Sequence, residues 1–429
     1  MADQSLSARH AVVTVRSLPE PSKIEAAPAT AAAKADVDDV ERALLMNRYR
    51  QLRDRLEQEA AKSGDDVMVT APDPEVSMLQ SRLAELALEG KPLGPGGQEV
   101  KFGTGFEGRD WFGWLKSTLD WVDRTKAHPF TWSTAGPDTI GDSFKIAMAG
   151  DWGTGLYGAP KIAEQITATG PFDLVLHLGD VYYSGTADEV KERFLKIWPF
   201  TGGRMHRAIN SNHEMYSGGY AYFDIILPRF GQAASYFALQ NTNWMLIGLD
   251  TAYVDHDMDP QQVTWLEQLI AGKGQRKVVL FSHQQLYSRL SDQGVKLIAK
   301  LTALLSAKKI AAWYWGHEHQ CVLYDTHADW GLTARCLGNG GIPEARSRDV
   351  RNAATERTEG PVVWKRLEPT AQTAGTPRCL VLDGPNPDVK GREDDFVPHS
   401  YMTLQFDGPT VTERVILPDG RKIFESTIP

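Results

Sequence analysis

The chain of 429 residues is longer than a usual single domain, and its 42% hydrophobic residues suffice to bury a substantial core. Its net charge of −9 argues against a general nucleic-acid binder, because affinity for phosphate backbones comes largely from Lys and Arg. The three cysteines do not resemble a disulfide framework, and the sequence contains no long apolar run and no apolar signal-peptide core. We therefore expect a soluble, cytoplasmic protein without membrane association.

The first 140 residues predict two regions. Residues 1–37 are rich in Ala, Pro and Ser and predict a flexible leader. Residues 38–140 predict a helical, Trp-rich extension, because apolar residues recur there at three- and four-residue steps. Trp111, Trp114 and Trp121 lie near one helical face, which favours a helix docked on the main domain over a partner interface. These N-terminal helices could still mediate homo-oligomerisation.

Residues 141–429 predict a catalytic domain of the α/β class. Short apolar runs alternate with amphipathic helical segments near 159–169, 187–198, 260–272 and 292–307, a pattern typical of strand–helix–strand units. The residues from 339 to 398 predict an irregular insert, and those after 401 predict three strands with a hairpin turn at Asp419-Gly420. The apolar runs that predict strands are Ile146–Ala149, Leu174–Leu178, Met245–Leu249, Val278–Phe281 and Ala311–Trp315.

Metal-ligand residues follow most of these predicted strands. Asp151, Asp180, His283 and His317 each come just after an apolar run, and Asn212 follows the shorter run at 208–209. In open α/β sheets, ligands bind beyond the carboxyl ends of the strands, so the fold would gather these side chains in one crevice. Carboxylate, amide and imidazole donors in this number suit two neighbouring cations, which is the arrangement used for in-line displacement at phosphorus.

The motifs around these residues resemble those of the calcineurin-like metallophosphoesterases, and within them the purple acid phosphatase type. They read Gly150-Asp151-Trp152-Gly153, Gly179-Asp180-Val181-Tyr182-Tyr183, Asn212-His213-Glu214, Ser282-His283 and Gly316-His317-Glu318-His319. The resemblance covers about residues 144–340 and implies a β-sandwich flanked by helices (αββα). The subtype rests on Gly153, where other members carry a histidine ligand, together with Tyr183, which replaces that ligand.

The resemblance implies a ligand for each motif residue. Asp151, Tyr183 and His319 would hold the first metal, usually Fe(III), and Asn212, His283 and His317 would hold the second, Fe, Zn or Mn, with Asp180 bridging the two. A hydroxide at the metals would attack the phosphorus of a small phosphoester, since a metal lowers the pKa of bound water from about 15.7 to roughly 7. His213 matches the histidine that faces the substrate, which binds the phosphoryl oxygens or protonates the leaving group.

Two departures from the family pattern affect the substrate site. Ser211 stands where the third motif usually has Gly, and no further histidine follows His283 closely, which leaves the general acid open. Arg346 and Arg348 follow a glycine-rich turn and could bind anionic groups of a substrate, and His399 could approach from the long insert. Two residues have structural interpretations: His177 is predicted to be a satisfied core histidine, and Asp250 a loop cap.

We predict a phosphomonoesterase that uses two metal ions, with a phosphodiesterase acting on such substrates as cyclic nucleotides as the alternative. Two hypotheses from other classes are less well supported. The turn Gly153-Thr154-Gly155-Leu156-Tyr157-Gly158 fits a dinucleotide fingerprint, but Asp173, which has the right spacing for its acidic residue, opens its strand instead of closing it. A non-catalytic scaffold would be marked by lost ligands, whereas all seven positions are filled.

Overall fold

The computed structural model describes residues 39–63, 74–90 and 126–428. The predicted leader and the three tryptophans of the predicted docking helix lie outside these described residues. The strands are β1 (Asp138–Thr139), β2 (Ser143–Ala149), β3 (Phe172–His177), β4 (Gly203–Ala208), β5 (Phe237–Gln240), β6 (Trp244–Gly248), β7 (Lys277–Phe281), β8 (Ala312–Trp315), β9 (Cys321–Tyr324), β10 (Thr333–Leu337), β11 (Ala354–Glu359), β12 (Val362–Leu367), β13 (Cys379–Asp383), β14 (Tyr401–Asp407), β15 (Thr410–Ile416) and β16 (Lys422–Ile428).

Helices connect many of these strands. The helix that begins at Pro260 shows how local sequence starts such an element. Asp259 caps it by accepting a hydrogen bond from the amide of Gln261 at 2.8 Å, and Pro260 in the first turn has a fixed φ that suits a helix. The α-helices are α1 (Asp39–Ser63), α2 (Pro74–Gly90), α3 (Ala159–Thr169), α4 (Ala187–Glu189), α5 (Asn212–Tyr216), α6 (Leu227–Phe230), α7 (Pro260–Ala271), α8 (Val295–Ser306) and α9 (Arg348–Asn352). None of the described helices is both long enough and apolar enough to cross a membrane.

The strands form two sheets, each with a block of adjacent parallel strands. The larger sheet has the order β1-β5-β6-β7-β8-β10-β9-β13-β12-β11, and β6, β7, β8 and β10 run parallel. The smaller sheet has the order β16-β15-β14-β2-β3-β4, with β2, β3 and β4 parallel. The carboxyl ends of the parallel strands are therefore brought together within each sheet.

Three apolar layers hold the sheets and helices together. Between the sheets, fully buried residues such as Leu176 and Leu404 from the smaller sheet pack with Leu246 from the larger one. The outer face of the larger sheet is covered by α7 and α8, and that of the smaller sheet by α3. The order of layers is helix, sheet, sheet, helix, which confirms the predicted αββα fold class.

The predicted irregular insert contains regular structure, and the prediction for it is wrong. Residues 339–398 include α9 and the antiparallel strands β11, β12 and β13, and β13 pairs with β9 to extend the larger sheet. The edge strand β11 has the polar sequence Ala-Thr-Glu-Arg-Thr-Glu and is almost wholly exposed, so it lacks the apolar alternation by which a strand is recognised.

The N-terminal extension contains the helices α1 and α2, whereas its described residues 126–140 are irregular apart from β1. Buried residues of α1, including Tyr49, Leu52 and Leu56, form its apolar face, and Arg48 pairs with Glu75 at the start of α2 at 2.8 Å. The hydroxyl of Ser81 in α2 donates to the carboxylate of Glu189 at 3.0 Å. The extension thus contacts the catalytic domain next to the loop that follows β3.

Candidate metal centre

The motif residues follow the carboxyl ends of five parallel strands. Asp151 comes two residues after β2, Asp180 three residues after β3, and Asn212 begins α5 after β4. In the larger sheet, His283 follows β7 and His317 follows β8. The main-chain amide of His317 donates to Oδ2 of Asp151 at 2.8 Å, which joins the strand ends of the two sheets.

The backbone is strained where these side chains converge. Asp151, Asp180, His317 and His319 have φ values of 55°, 75°, 69° and 51°, in the left-handed region that residues with a Cβ rarely adopt. Each such residue costs about 1–3 kcal/mol, and strain of this kind clusters at functional sites where surrounding contacts enforce it. Outside this group, His256 with φ of 54° and Lys308 with 52° are the other described non-glycine residues with positive φ.

The first donor group contains Asp151, Asp180 and His319. One potential ligand atom from each of these residues lies within 4.8 Å of the others. Nε2 of His319 lies 3.4 Å from Oδ1 of Asp151, and both aspartates are almost completely buried. Oxygen and imidazole donors at these separations can surround one cation.

The second donor group contains Asn212, His283 and His317. Nε2 of His283 lies 2.9 Å from Oδ1 of Asn212 and 3.2 Å from Nδ1 of His317. The same His283 nitrogen is 3.2 Å from Oδ1 of Asp180, whereas Oδ2 of Asp180 accepts a hydrogen bond from the hydroxyl of Tyr182, which also lies 2.7 Å from His319 of the first group. Asp180 therefore presents one carboxylate oxygen to each group.

The donors fit cations electrostatically as well as geometrically. Oδ1 of Asp151 is buried and has no hydrogen-bond partner within the described structure, and burial together with the charge of Asp180 raises the pKa of Asp151 well above its usual value. Burial lowers the pKa of His283 and, with the neighbouring His283, that of His317, so both imidazoles are neutral near pH 7. Neutral imidazole and carboxylate are the forms that bind metals.

The phenol that reaches the first donor group belongs to Tyr182. Its hydroxyl lies 2.7 Å from Oδ2 of Asp180 and 2.7 Å from Nε2 of His319. The sequence prediction assigned this place to Tyr183, whose amide donates to Glu189 at 2.6 Å and whose ring lies 5.5 Å from the guanidinium of Arg193. The spacing of the motif indicates a tyrosine here but does not distinguish two adjacent ones, because the turn of the loop decides which side chain points inward.

His213 lies beside both donor groups on α5. Its Nδ1 donates to the carbonyl oxygen of Tyr183 at 2.5 Å, and its ring centroid is 3.9 Å from that of Tyr182. Burial lowers the pKa of His213 to about 4. With Nδ1 donating to a carbonyl, Nε2 is the nitrogen left to interact with a substrate.

The three predicted peripheral substrate residues have other surroundings. The guanidinium of Arg346 donates to both oxygens of buried Asp383, at 2.6 and 2.9 Å, and so forms a structural ion pair. His399 is 1% exposed, and its ring nitrogens contact Asp388, the carbonyl of Ile342 and Asn386, which argues against contact with substrate. Arg348 is exposed at the start of α9.

Three residues that contact the donor groups or their loops were not predicted from the sequence. His256 lies in the loop after β6, with Nε2 3.3 Å from Nε2 of His317, and Glu344 accepts a hydrogen bond from Nδ1 of His319 at 3.1 Å. Glu189 binds the loop that carries Tyr182, and its capping-box pattern Thr186-x-x-Glu189 is visible in the sequence. The signal for His256 was its place beyond a strand end between the third and fourth motifs, whereas Glu344 gives no sequence signal.

Residues 144–321 match the family model described as calcineurin-like phosphoesterase. The match runs from the beginning of β2 to the first residue of β9 and includes every residue of the two donor groups. Over these residues the chain is similar to the calcineurin-like phosphoesterases, and the match is consistent with metal-dependent phosphoester hydrolysis. No curated protein matches the chain.

Several solved structures are similar to the chain. GAP50, the anchor in the inner membrane complex of Plasmodium, is 12% identical with a TM-score of 0.46, covering 67% of this chain and 88% of its own. A dimetal phosphatase from Danio rerio is 11% identical with a TM-score of 0.41, covering 66% and 98%. PhoD is 12% identical with a TM-score of 0.43, covering 68% and 74%.

Proposed function

We propose that this protein hydrolyses phosphate monoesters at a centre of two metal ions. The observation that carries the proposal is the position of Asp180: one carboxylate oxygen lies against His283 of the second donor group, and the other against the phenol of Tyr182, which contacts His319 of the first group. A single carboxylate shared in this way holds two cations a few ångströms apart, as two-metal hydrolysis requires.

The proposed ligands divide between the two positions. Asp151 and His319, with the phenol of Tyr182, hold the first ion, and Asn212, His283 and His317 hold the second, with Asp180 shared. A phenol at the first position is compatible with Fe(III) there and Fe, Zn or Mn at the second, as the purple acid phosphatase type would have. Bound cations supply a nucleophilic water at neutral pH and neutralise charge on the phosphoryl oxygens.

His213 is the proposed catalytic side chain. Its Nδ1–H is held by the carbonyl oxygen of Tyr183, which fixes the ring and leaves Nε2 for a phosphoryl oxygen or the leaving-group oxygen. To protonate a leaving group, Nε2 must first carry a proton. Because burial lowers the pKa of His213 to about 4, the ring carries this second proton only at acidic pH. An acid-phosphatase-like optimum is therefore expected if His213 is the general acid.

The burial of the centre favours monoesters over diesters. Asp151, Asp180 and His283 are at most 1% exposed, and Asn212 is 7% exposed, whereas the histidines of the last motif are partly open to solvent. A terminal phosphoryl group reaches donors buried to this extent more readily than a phosphate with two substituents does.

The test combines metal analysis with an aryl phosphomonoester and an aryl phosphodiester as substrates. We expect two metal ions per chain, faster hydrolysis of the monoester, and a loss of at least about a thousandfold in kcat for Asp180→Ala. Asp173→Ala is the matched control, because Asp173 lies at the opposite end of β3 and accepts a hydrogen bond from the amide of Lys145 at 2.8 Å. Full turnover in Asp180→Ala would overturn the proposal, and faster diester hydrolysis would replace the monoester assignment.

A further inference from the structure

Each imidazole of the centre directs one ring nitrogen towards the donor groups and has the other held by a hydrogen bond. For two of them the holding group is a main-chain carbonyl: Nδ1 of His283 lies 2.8 Å from the oxygen of Leu178, and Nδ1 of His213 lies 2.5 Å from that of Tyr183. Partners of this kind fix the tautomer and the ring orientation of a metal-binding histidine. The two histidines of the last motif are held by side chains instead.

His317 is held by a second imidazole. Its Nδ1 faces His283, so the lone pair for a metal is on Nδ1 and the proton is on Nε2, which lies 3.3 Å from Nε2 of His256. For His256 to accept that proton's hydrogen bond, its own proton must be on Nδ1, which lies 2.7 Å from Oδ1 of Asp255. The order carboxylate, imidazole, imidazole is thus consistent at every hydrogen bond, with one donor and one acceptor in each pair.

His319 is held by a carboxylate and uses its nitrogens in the reverse sense. Nε2 faces the first donor group, 2.7 Å from the hydroxyl of Tyr182, and Nδ1 lies 3.1 Å from Oε2 of Glu344. The carboxylate can only accept, so Nδ1 carries the proton and Nε2 has the lone pair. The backbone of Glu344 is itself fixed, because its carbonyl oxygen accepts from the amide of Val397 at 2.9 Å.

We propose that His256 and Glu344 are positioning residues, each of which sets the metal affinity of one site by orienting one histidine of the last motif. His256 acts on the second site through His317, and Glu344 acts on the first site through His319. The proposal rests on the proposed function in one respect, the division of ligands between two metal ions.

Their environments support this role over a role in packing. The side chain of His256 is 40% exposed and that of Glu344 is 38% exposed, so neither fills the core. His256 nevertheless has φ of 54°, and the amine of Lys296 contacts the carbonyl oxygen of the preceding Asp255 at 2.9 Å. The hydrogen bond between His256 and His317 explains why His256 keeps this strained conformation although it is partly exposed.

The partners also differ in strength, which predicts unequal sites. A carboxylate acceptor makes the histidine that donates to it more basic than a neutral imidazole acceptor does, because the hydrogen bond is charge-assisted. The site held through Glu344 should therefore bind its ion more tightly than the site held through His256. Metal-binding measurements test this without reference to turnover.

The experiment titrates Zn²⁺ into the metal-free full-length protein by calorimetry, with near-UV circular dichroism to verify folding. Wild type should bind two ions. His256→Ala should weaken one site by about 10–100-fold and Glu344→Ala the other, whereas His256→Gln should recover part of the loss because its amide oxygen accepts from Nε2 of His317.

The same substitutions in a protein that lacks the second site show which of the two sites each residue affects. In Asn212→Ala/His283→Ala, which lacks two ligands of the second site, adding His256→Ala should change the remaining affinity by less than about twofold, while adding Glu344→Ala should still weaken it about 10–100-fold. The inference is overturned if the two single variants bind Zn²⁺ as wild type does, or if each weakens both sites equally. If wild type itself binds fewer than two ions, that result contradicts the proposed function and not the roles of His256 and Glu344.

Discussion

Two adjacent tyrosines make the ligand assignment testable at the level of one residue. Burial, followed by the charges of Asp180 and Asp151, raises the pKa of Tyr182 well above its usual value, so its phenol is protonated and donates to Asp180 unless a cation displaces the proton. We expect Tyr182→Phe to abolish the visible charge-transfer band of protein loaded with Fe(III) and to weaken first-site binding at least about tenfold. Absorption spectra and metal titration measure both effects.

Tyr183→Phe is the matched control, since it removes the same hydroxyl one position further along the chain. We expect it to retain the absorption band and the metal affinity. Loss of the band in Tyr183→Phe with its retention in Tyr182→Phe would restore the original sequence assignment and contradict the geometry of this loop.

His177 differs from its sequence prediction in one respect. It is a core residue, as predicted, and packs among Trp152, Phe194 and Trp198, but neither ring nitrogen has a hydrogen-bond partner in the described structure. The prediction of a satisfied histidine is therefore wrong. An apolar strand explains why the residue is buried, but the sequence does not show that its neighbours are aromatic rings with no acceptor available.

This burial predicts acid lability. Burial lowers the pKa of His177 to about 3 from an ordinary value of 6.5, so the unfolded chain takes up a proton between these values and the native chain does not. The contribution to stability is full above pH 6.5 and is lost as pH falls towards 3, by at most about 1.4 kcal/mol per pH unit. Urea unfolding from pH 7 to pH 4 should show a shallower decline for His177→Leu than for wild type. An equal decline in both would contradict the prediction.

The convergence of the proposed metal ligands could be predicted because strand ends carry them. Asp151, Asp180 and His283 follow apolar runs of buried strands, and the parallel order of neighbouring strands brings those ends together. His256 and Glu344 could not be found in this way, because they lie in loops whose paths depend on tertiary contacts. The same limit explains the tyrosine assignment, where one residue of register in a turn changes which ring faces the first donor group.

At the scale of elements, the loop after β3 depends on a buried carboxylate. Glu189 accepts hydrogen bonds from the amides of Tyr183, Ser184 and Thr186 at 2.6, 3.0 and 3.1 Å, and from the hydroxyl of Ser81 in α2. These amides belong to the segment that carries Tyr182 and follows Asp180. The glutamate therefore holds the loop in the conformation that the first donor group requires.

We expect Glu189→Ala to lower the free energy of unfolding by about 3 kcal/mol, because three amides, two of them buried, lose their acceptor, and to weaken first-site metal binding. Urea unfolding and Zn²⁺ titration measure the two effects. Ser81→Ala serves as control: it removes one contact and should cost about 1 kcal/mol without changing metal affinity. If Glu189→Ala bound both ions as wild type does, the loop would not depend on this carboxylate.

Elements were predictable where one face is apolar and not where the sequence is polar. The helices at 159–169 and 260–271 and the strands of both sheet centres lie within a few residues of their predicted bounds, because their burial imposes a period. The turn from Gly153 to Gly158, which resembled a dinucleotide fingerprint, has a packing explanation: a Cβ at Gly155 would lie 2.2 Å from the carbonyl oxygen of Arg193. Close approach of two main chains requires the glycine there.

At the scale of the whole molecule, a buried ion pair joins the two sheets. Arg335 in β10 of the larger sheet donates to Glu413 in β15 of the smaller sheet, with Nε–Oε1 and Nη2–Oε1 distances of 3.0 and 2.5 Å. Tyr314 and Ser426 donate to the same carboxylate at 3.1 and 2.9 Å, and Arg335 also donates to the carbonyl of Tyr324. The side chains of the pair are 8% and 0% exposed, so both charges depend on these partners.

Replacing one partner of this ion pair should lower the free energy of unfolding more than replacing both partners. Glu413→Leu leaves the guanidinium of Arg335 buried without its counter-charge, and we expect a loss of about 3–5 kcal/mol in the free energy of unfolding, measured in urea. The double variant Arg335→Met/Glu413→Leu restores an apolar contact between the sheets, and we expect it to be more stable than Glu413→Leu and within a few kcal/mol of wild type. Because the metal ligands come from strands of both sheets, the loss in Glu413→Leu should also lower the affinity for metal, and the double variant should recover it. A double variant no more stable than Glu413→Leu would mean that the sheets are aligned by the network of hydrogen bonds around the pair and not by apolar packing.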